Sequence, residues 1–159
     1  MTEYEMDSSE SYVIFRIDGQ RYGIPSNRVQ RVVRIVAITE LPGLPEFVLG
    51  VINVQGKIIP VISMRLRYGL PERLVELSDQ LVIVQMDTHC CAVVADAVEG
   101  VCACGAHAIT EIDEIMETTP FLKGVAKQPE GMVLLIDTEK LLSVGELHCI
   151  EKHLLQVPV

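Results

Sequence analysis

Residues 47–63, FVLGVINVQGKIIPVIS, decide how the chain folds. Two short apolar runs, 47–54 and 58–62, lie on either side of a turn at Gln55-Gly56. Both runs are rich in valine and isoleucine and are bounded by glycine or proline, a pattern typical of two buried strands joined by a tight hairpin. A helix is disfavoured by the β-branched content and by three residues that would interrupt it, Gly50, Gly56 and Pro60.

The same pattern returns, without a gap, at residues 121–137, FLKGVAKQPEGMVLLID. The matching pairs are Phe47 with Phe121, Gly50 with Gly124, Val51 with Val125, Ile62 with Ile136 and Ser63 with Asp137. Upstream, residues 13–18, VIFRID, match residues 82–87, VIVQMD, and the register continues through Ile24 with Val93, Val29 with Val98 and Val32 with Val101. Two copies of so long a unit are not a solenoid, so the repeat predicts a duplicated β-unit.

Composition limits the class of protein. The 159 residues are 49% hydrophobic, but no apolar run approaches the roughly 20 residues that span a bilayer. The first residues, MTEYEMDSSES, are acidic and polar, unlike a signal peptide, so we expect a cytoplasmic protein. The net charge of −9 argues against a nucleic-acid groove, which needs clustered lysine and arginine.

Five cysteines, an odd number without an export signal, indicate reduced and mostly buried thiols rather than a disulfide framework. The alternative is a small regulatory or metal-responsive module that uses Cys102, Cys104 and His107. In a strand, Cys102 and Cys104 would share a face, although C-x-C is not the usual zinc-knuckle spacing. Core cysteines are the preferred interpretation, and no metal or cofactor is expected.

The pattern of apolar residues and breakers predicts further elements along the chain. Residues 1–10 are expected to be a disordered acidic head, and residues 71–79 a charged connection between the halves. Predicted strands outside the two hairpins are 12–17, 20–24, 29–38, 81–86, 89–95 and 98–104. Predicted helical segments are 64–68, ended by Gly69, then 138–144 and 146–155, while residues 106–119 carry helical spacing.

Catalytic motifs are missing from the sequence. There is no glycine-rich phosphate loop, nucleophile elbow or H-E-x-x-H pattern. Asp96 and Glu99 are best interpreted as a solvated strand end, and Asp137 as a helix cap rather than a general base. A small β protein of this kind is expected to be a binding module and not an enzyme.

Four segments resemble the CheW family of bacterial chemotaxis coupling proteins. The family's hallmark is a Phe-x-x-Gly-Val-x-Asn-x-x-Gly hairpin followed by a strand with Pro between Val or Ile, and residues 47–62 carry nearly all of it. The segments are YVIFRIDGQRYGIPSNRVQRVV (12–33), LPGLPEFVLGVINVQGKIIPVISMRLRYGL (41–70), LVIVQMDTHCCAVVADAVEGV (81–101) and FLKGVAKQPEGMVLLIDTEKLL (121–142).

The resemblance implies a mainly β fold of two intertwined five-stranded SH3-like barrels. These would form a single CheW-like domain over 11–145, with subdomains of about 12–75 and 80–144, and a tail at 146–159. It also implies a loop and a short strand within 106–119. CheW proteins are non-catalytic adaptors that bind the cytoplasmic tip of chemoreceptors and the regulatory domain of the histidine kinase CheA. We therefore expect a cytoplasmic protein associated with membrane-bound arrays but not inserted in the membrane.

The resemblance also places a receptor-binding groove between the barrels, formed by Val29, Gly50, Val51 and Asn53. Glycine at position 50 would allow a partner to approach closely, or it would simply ease barrel curvature, as its repeat Gly124 suggests. Two positions that pair as acid and base in the family are Arg31 and Gln55 here, which can form a hydrogen bond but no ion pair. This departure, with Ser63 in place of the usual Asp, points to a change in partner choice.

Overall fold

A computed structural model of the chain describes residues 10–105, 109–111 and 121–154. Within these ranges the strands are β1 Glu10–Ile17, β2 Gln20–Pro25, β3 Val29–Arg34, β4 Val48–Val54, β5 Lys57–Ile62, β6 Gln80–Gln85, β7 Cys90–Ala95, β8 Ala97–Cys104, β9 Ile109–Glu111, β10 Leu122–Gln128 and β11 Gly131–Ile136. The α-helices are α1 Met64–Tyr68 and α2 Val144–Leu154, and 3₁₀ turns lie at Ser26–Arg28 and Thr138–Lys140.

The strands form two sheets, and each sheet takes strands from both halves of the sequence. One has the order β8-β1-β2-β11-β10-β9 and the other the order β3-β6-β7-β5-β4. Within each sheet the two halves meet at one parallel pair, β2 with β11 or β5 with β7, and at one antiparallel pair, β1 with β8 or β3 with β6. The remaining pairs are antiparallel and lie within one half. The predicted mainly β fold is confirmed, and the two sheets are consistent with two intertwined subdomains.

The sequence repeat corresponds to equivalent positions in the two sheets. The hairpin β4–β5 in one sheet matches β10–β11 in the other, and β6–β7 matches β1–β2. β9 adds a sixth strand beside β10, whereas its counterpart beside β4 is only an isolated bridge between Thr39 and Val51. This difference explains why one sheet has six strands and the other has five. The subdomain limits of about 12–75 and 80–144 remain a prediction.

Several predicted boundaries need correction. The third strand, predicted over 29–38, ends at Arg34, because its antiparallel partner strand begins at Gln80, the residue opposite Arg34. Glu10 belongs to β1 rather than to the acidic head, whose residues 1–9 lie outside the described ranges. Of the stretch 106–119, only Ile109–Glu111 is described, and it is the short strand β9.

The helix predicted at 138–144 is a single 3₁₀ turn, and the following helix begins at Val144. The Ser143 hydroxyl accepts from the Glu146 backbone N–H at 3.1 Å, while the Ser143 N–H donates to the Glu146 carboxylate at 2.8 Å. This reciprocal capping box starts a new helix at this point and separates it from the turn before it. Asp137 caps that turn, as expected, by accepting from the Glu139 N–H at 3.2 Å.

The described core consists of three apolar clusters. One lies within the five-stranded sheet around Ile52, Ile59 and Leu81, and another within the six-stranded sheet around Tyr12, Ile14 and Leu135. The largest lies between the sheets and includes Phe15, Ile24, Val82, Val93 and the phenylalanines of both hairpins, Phe47 and Phe121. Burial of this shared cluster fixes the two sheets relative to each other.

Helix α1 connects the two hairpins through adjacent side chains. The Arg67 guanidinium carbon lies 4.1 Å from the centre of the Phe47 ring, and the Tyr68 ring stacks on Phe121 with centroids 3.7 Å apart. Arg67 also donates from both terminal nitrogens to the Glu146 carboxylate, at 2.7 and 2.9 Å. This bidentate pair anchors α2 to the shared core. In the described ranges no helix is long and apolar enough to cross a membrane.

The Arg67–Glu146 pair predicts a specific loss of stability in acid. Burial raises the pKa of Glu146, but the hydrogen bonds from Arg67 and from Ser143 outweigh it and hold the pKa below its ordinary value. Because the folded-state pKa is depressed, the stabilisation is complete above the ordinary value of 4.5 and is lost as pH falls through the folded-state pKa. Glu146→Gln should therefore lower the free energy of unfolding at pH 7 by roughly 1–3 kcal/mol.

Urea unfolding at pH 7 and pH 4 measures this effect. The difference between wild type and Glu146→Gln should shrink at pH 4, because below the ordinary pKa of 4.5 the carboxylate of the unfolded chain binds a proton more readily than that of the folded protein. Glu130→Gln is the matched control, since that carboxylate is 67% exposed and lies 3.9 Å from Arg21. An equal difference at both pH values would show that the charge of Glu146 does not stabilise the helix contact.

Candidate partner-binding surface

The tip of the first hairpin is held by side chains that are themselves exposed. Gln55 has a φ of +52° and is followed by Gly56 with a φ of +84°. The Asn53 side-chain oxygen accepts from the Gly56 backbone N–H at 2.8 Å, which fixes the turn. Arg31, on β3, donates from Nη2 to the Gln55 side-chain oxygen at 3.2 Å. We call the exposed residues Arg31, Asn53 and Gln55 the tip surface.

The tip surface carries the positive charge of Arg31, which an acid–base pair at the same two positions would neutralise. The hydrogen bond between Arg31 and Gln55 satisfies one donor of the guanidinium but leaves its positive charge uncompensated by Gln55. A neutral amide also gains less from this contact than a carboxylate would. The arrangement therefore presents a cation beside the hairpin tip, where a partner can supply the opposite charge.

Gly50 is approached closely by the chain's own backbone. A Cβ built on Gly50 would overlap the carbonyl oxygen of Thr39, and the φ of +150° is one that side chains rarely adopt. Thr39 and Val51 exchange two backbone hydrogen bonds of 2.9 Å at this place. Gly124 has the same relation to the second hairpin, since its Cβ would lie 2.9 Å from the Thr110 carbonyl oxygen. The close approach of the Thr39 backbone within the fold therefore explains why position 50 is a glycine.

The other predicted groove residues lie in different surroundings. Val51 is buried, with 6% of its surface exposed, under the Thr39 bridge. Asn53 is exposed at the hairpin tip. Val29 is half-buried at the start of β3, opposite Val84, and packs against the cluster shared by the two sheets. The contacts thus bring Gly50 and Val51 together with Thr39, and Arg31 together with Gln55, while Val29 packs elsewhere.

The Thr39 bridge could have been found in the sequence. Residues 38–40 and 109–111 are both Ile-Thr-Glu, and they occupy equivalent places beside the two hairpins. Thr39 bridges to Val51, and Thr110 pairs with Val125, which is the repeat of Val51. The identical tripeptide was therefore a signal for an additional strand-like segment beside each hairpin.

A second surface lies beside α1, in the segment predicted to be only a charged connection. Leu74 and Leu77 are 90% and 92% exposed. Arg73 fixes this segment by donating at 2.7 Å to both Asp79, which is buried, and Asp96. Leu74 also lines a cavity of about 600 Å³ beneath the segment. Two leucines within a run of charged residues were the available signal for this surface.

The residues that could have carried other chemistry have structural partners. Asp96, predicted to lie at a solvated strand end, pairs with Arg65 and Arg73 at 2.7 Å each. Cys102 and Cys104 lie beside Gln128, while His107 is outside the described ranges. Across residues 10–105, 109–111 and 121–154, no group of three or more His, Cys, Asp or Glu is placed to hold a metal ion.

Fold and surface together define a duplicated SH3-like β protein with an exposed polar hairpin tip. The model of the CheW-like domain matches residues 11–146. The chain therefore belongs to the CheW-like domain family.

Individual relatives agree with this assignment. The chain is 27% identical over 144 residues to the chemotaxis protein CheW of Klebsiella aerogenes, covering 89% of this chain and 87% of that protein. It is 26% identical over 135 residues to CheW of Helicobacter pylori, covering 82% and 80%. The crystal structure of a CheW scaffolding protein from Thermoanaerobacter tengcongensis superposes with a TM-score of 0.80 at 31% identity, covering 86% of this chain and 94% of that one.

The close approach at Gly50 predicts a large cost of substitution. Gly50→Ala should destabilise the protein by roughly 2–4 kcal/mol, because it combines a strained φ with a collision against the Thr39 backbone. Gly100→Ala is the matched control, since Gly100 has a φ of +132° but open space where its Cβ would lie. Chemical denaturation compares the two variants. Equal losses of stability would mean that the backbone contact with Thr39 is not a constraint on this residue.

Proposed function

We propose that this chain is a non-catalytic adaptor that couples chemoreceptors to the histidine kinase CheA in a bacterial chemosensory array. The single observation that supports it best is the match of the CheW-like domain over residues 11–146. The likeness to a scaffolding protein over most of both chains supports the same role. An adaptor of this kind acts in the cytoplasm, at arrays formed by membrane-bound receptors, without entering the membrane.

The proposed receptor groove involves Val29, Gly50, Val51 and Asn53. Asn53 is exposed at the hairpin tip, whereas the Thr39 bridge covers the edge of β4 at Gly50 and Val51, so a partner would meet Asn53 first. The cost of substituting Gly50 would arise first in the fold, so exposed side chains are better probes of binding. The tip surface supplies such probes without disturbing the core.

Partner choice is proposed to depend on Arg31 and Gln55. Charges at the rim of an interface affect specificity and association rate more than affinity, because they repel wrong partners and attract right ones. Among the described residues Arg31 forms no ion pair with a carboxylate, which favours a partner with an acidic side chain at the matching position. A chain with an acid–base pair at these two positions would lack that preference.

Co-sedimentation tests the adaptor role. The purified chain, receptor-tip fragments and CheA from the same genome should form a pellet in which kinase activity depends on the receptor fragments. Omission of the chain should leave CheA in the supernatant and its activity independent of receptor. Binding to neither partner would contradict the adaptor proposal while leaving the family assignment intact.

Charge reversal tests the role of Arg31. Arg31→Glu should weaken binding to at least one partner by about tenfold or more, which corresponds to about 1.4 kcal/mol. Its effect on folding stability should stay below about 1 kcal/mol, because the side chain is exposed. The matched control is Arg34→Glu, which reverses another exposed arginine of β3. Equal binding by both variants would remove Arg31 from the proposed specificity positions.

A further inference from the structure

Two cysteines occupy one face at the end of an edge strand. Cys102 and Cys104 lie on β8, where the ladder with β1 is regular and pairs them with Tyr12 and Glu10. Both contact the same core cluster, so their side chains point to the same side of the sheet. Cys104 is 3% exposed, whereas Cys102 is half-buried and connects the pair to solvent.

One amide group faces both sulfur atoms. The Gln128 Nε2 lies 2.9 Å from the Cys102 Sγ and 3.5 Å from the Cys104 Sγ, so the two sulfurs are separated by no more than the sum of these distances. At its other end, the Gln128 Oε1 accepts from Arg21 at 3.1 Å. Because a guanidinium only donates, Arg21 requires the amide oxygen on its side and thereby aims the NH₂ group at the sulfurs.

Strand geometry disfavours a disulfide between these residues. Positions i and i+2 of an extended strand are about 6.6 Å apart, and their side chains leave the sheet in parallel. A disulfide needs Cβ atoms within about 3.5–4.5 Å of each other, which would require the strand to buckle. A soft metal ion fits better, because it needs only the sulfur atoms to approach each other. Two bonds of the zinc–thiolate length, about 2.3 Å, would place the sulfurs about 4.6 Å apart.

We propose that Cys102 and Cys104 bind one Cu(I) ion in two-coordinate fashion. Thiolates are the soft ligands that Cu(I) prefers. On binding, two sulfur–copper bonds form, two S–H bonds break and two protons leave to solvent, with no change in oxidation state. The Gln128 NH₂ group donates to the thiolates and so offsets their charge, and Arg21 acts as a positioning residue by holding Gln128.

Competition for Cu(I) tests the site on the full chain. The reduced protein is mixed anaerobically with Cu(I) and a coloured Cu(I) chelator, and removal of metal from the chelator is measured. We expect one Cu(I) per chain, at least tenfold weaker binding in Cys102→Ser and in Cys104→Ser, and unchanged binding in Cys149→Ser. X-ray absorption should show sulfur neighbours and no nitrogen.

Further variants distinguish a two-sulfur site from one that also needs His107. Gln128→Leu should weaken Cu(I) binding several-fold but keep the two-sulfur X-ray absorption spectrum. A purely structural role of Gln128 would not produce this combination. His107→Ala should bind normally. Because Cys102 is half-buried, Cys102→Ser should keep its circular dichroism spectrum even if Cys104→Ser unfolds. No binding by wild type, equal binding by Cys102→Ser, or loss of binding in His107→Ala would each overturn the proposal.

Discussion

The structure depends on the strand pairings that join the halves of the chain, which include one parallel pair inside each sheet. β5 pairs with β7 at Val61–Ala92 and Ile62–Val93, and β2 pairs with β11 over three residue pairs. The four residues of the β5–β7 pairing are fully buried, so this pairing lies inside the core and not at an edge. Each hairpin is completed by strands from the other half, and neither half contains a whole sheet. Duplication has therefore produced one interlocked unit instead of two adjacent domains.

This interlocking determines where the candidate surface lies. Once β5 is fixed against β7, β4 is left at the edge of its sheet, and within the described part of the chain the Thr39 bridge lies beside it. The close backbone approach at Gly50 then sets the path of residues 35–39 from β3 to that edge. As a result, the exposed Arg31 and the hairpin tip meet, and their contact rests on a rigid frame. An adaptor gains from such a frame because its partners meet surfaces that need little ordering.

Most of this architecture was predictable from the sequence, because the internal repeat indicated a duplicated β-unit. Strand identity, the hairpins and the Gly69 end of α1 followed from local patterns of apolar and breaker residues. The end of β3 did not, because it depends on where its partner strand begins, which is a long-range property. The start of α2 was missed although Ser143 and Glu146 form a recognisable capping box in the sequence.

The candidate site was predictable only in part for a similar reason. The Arg31–Gln55 contact followed from a resemblance that already placed the two positions together, and it is present at 3.2 Å. The roles of Arg67 and Arg73 were not predicted, because their partners Glu146 and Asp96 lie far away in the sequence. Long-range pairing of charges leaves no periodic signal in one sequence.

The net charge of the chain affects how the tip surface can attract a partner. With a net charge of −9, the protein repels acidic partners at long range. At physiological salt, screening limits that repulsion to about 8 Å, so local charges decide the contact. Arg31 and Arg34 are exposed on β3, and Gln55 leaves the first of them without a carboxylate at the hairpin tip. An acidic partner would therefore be attracted locally to β3, although the net charge of the protein repels it on average. This contrast restricts the position and orientation in which such a partner can dock.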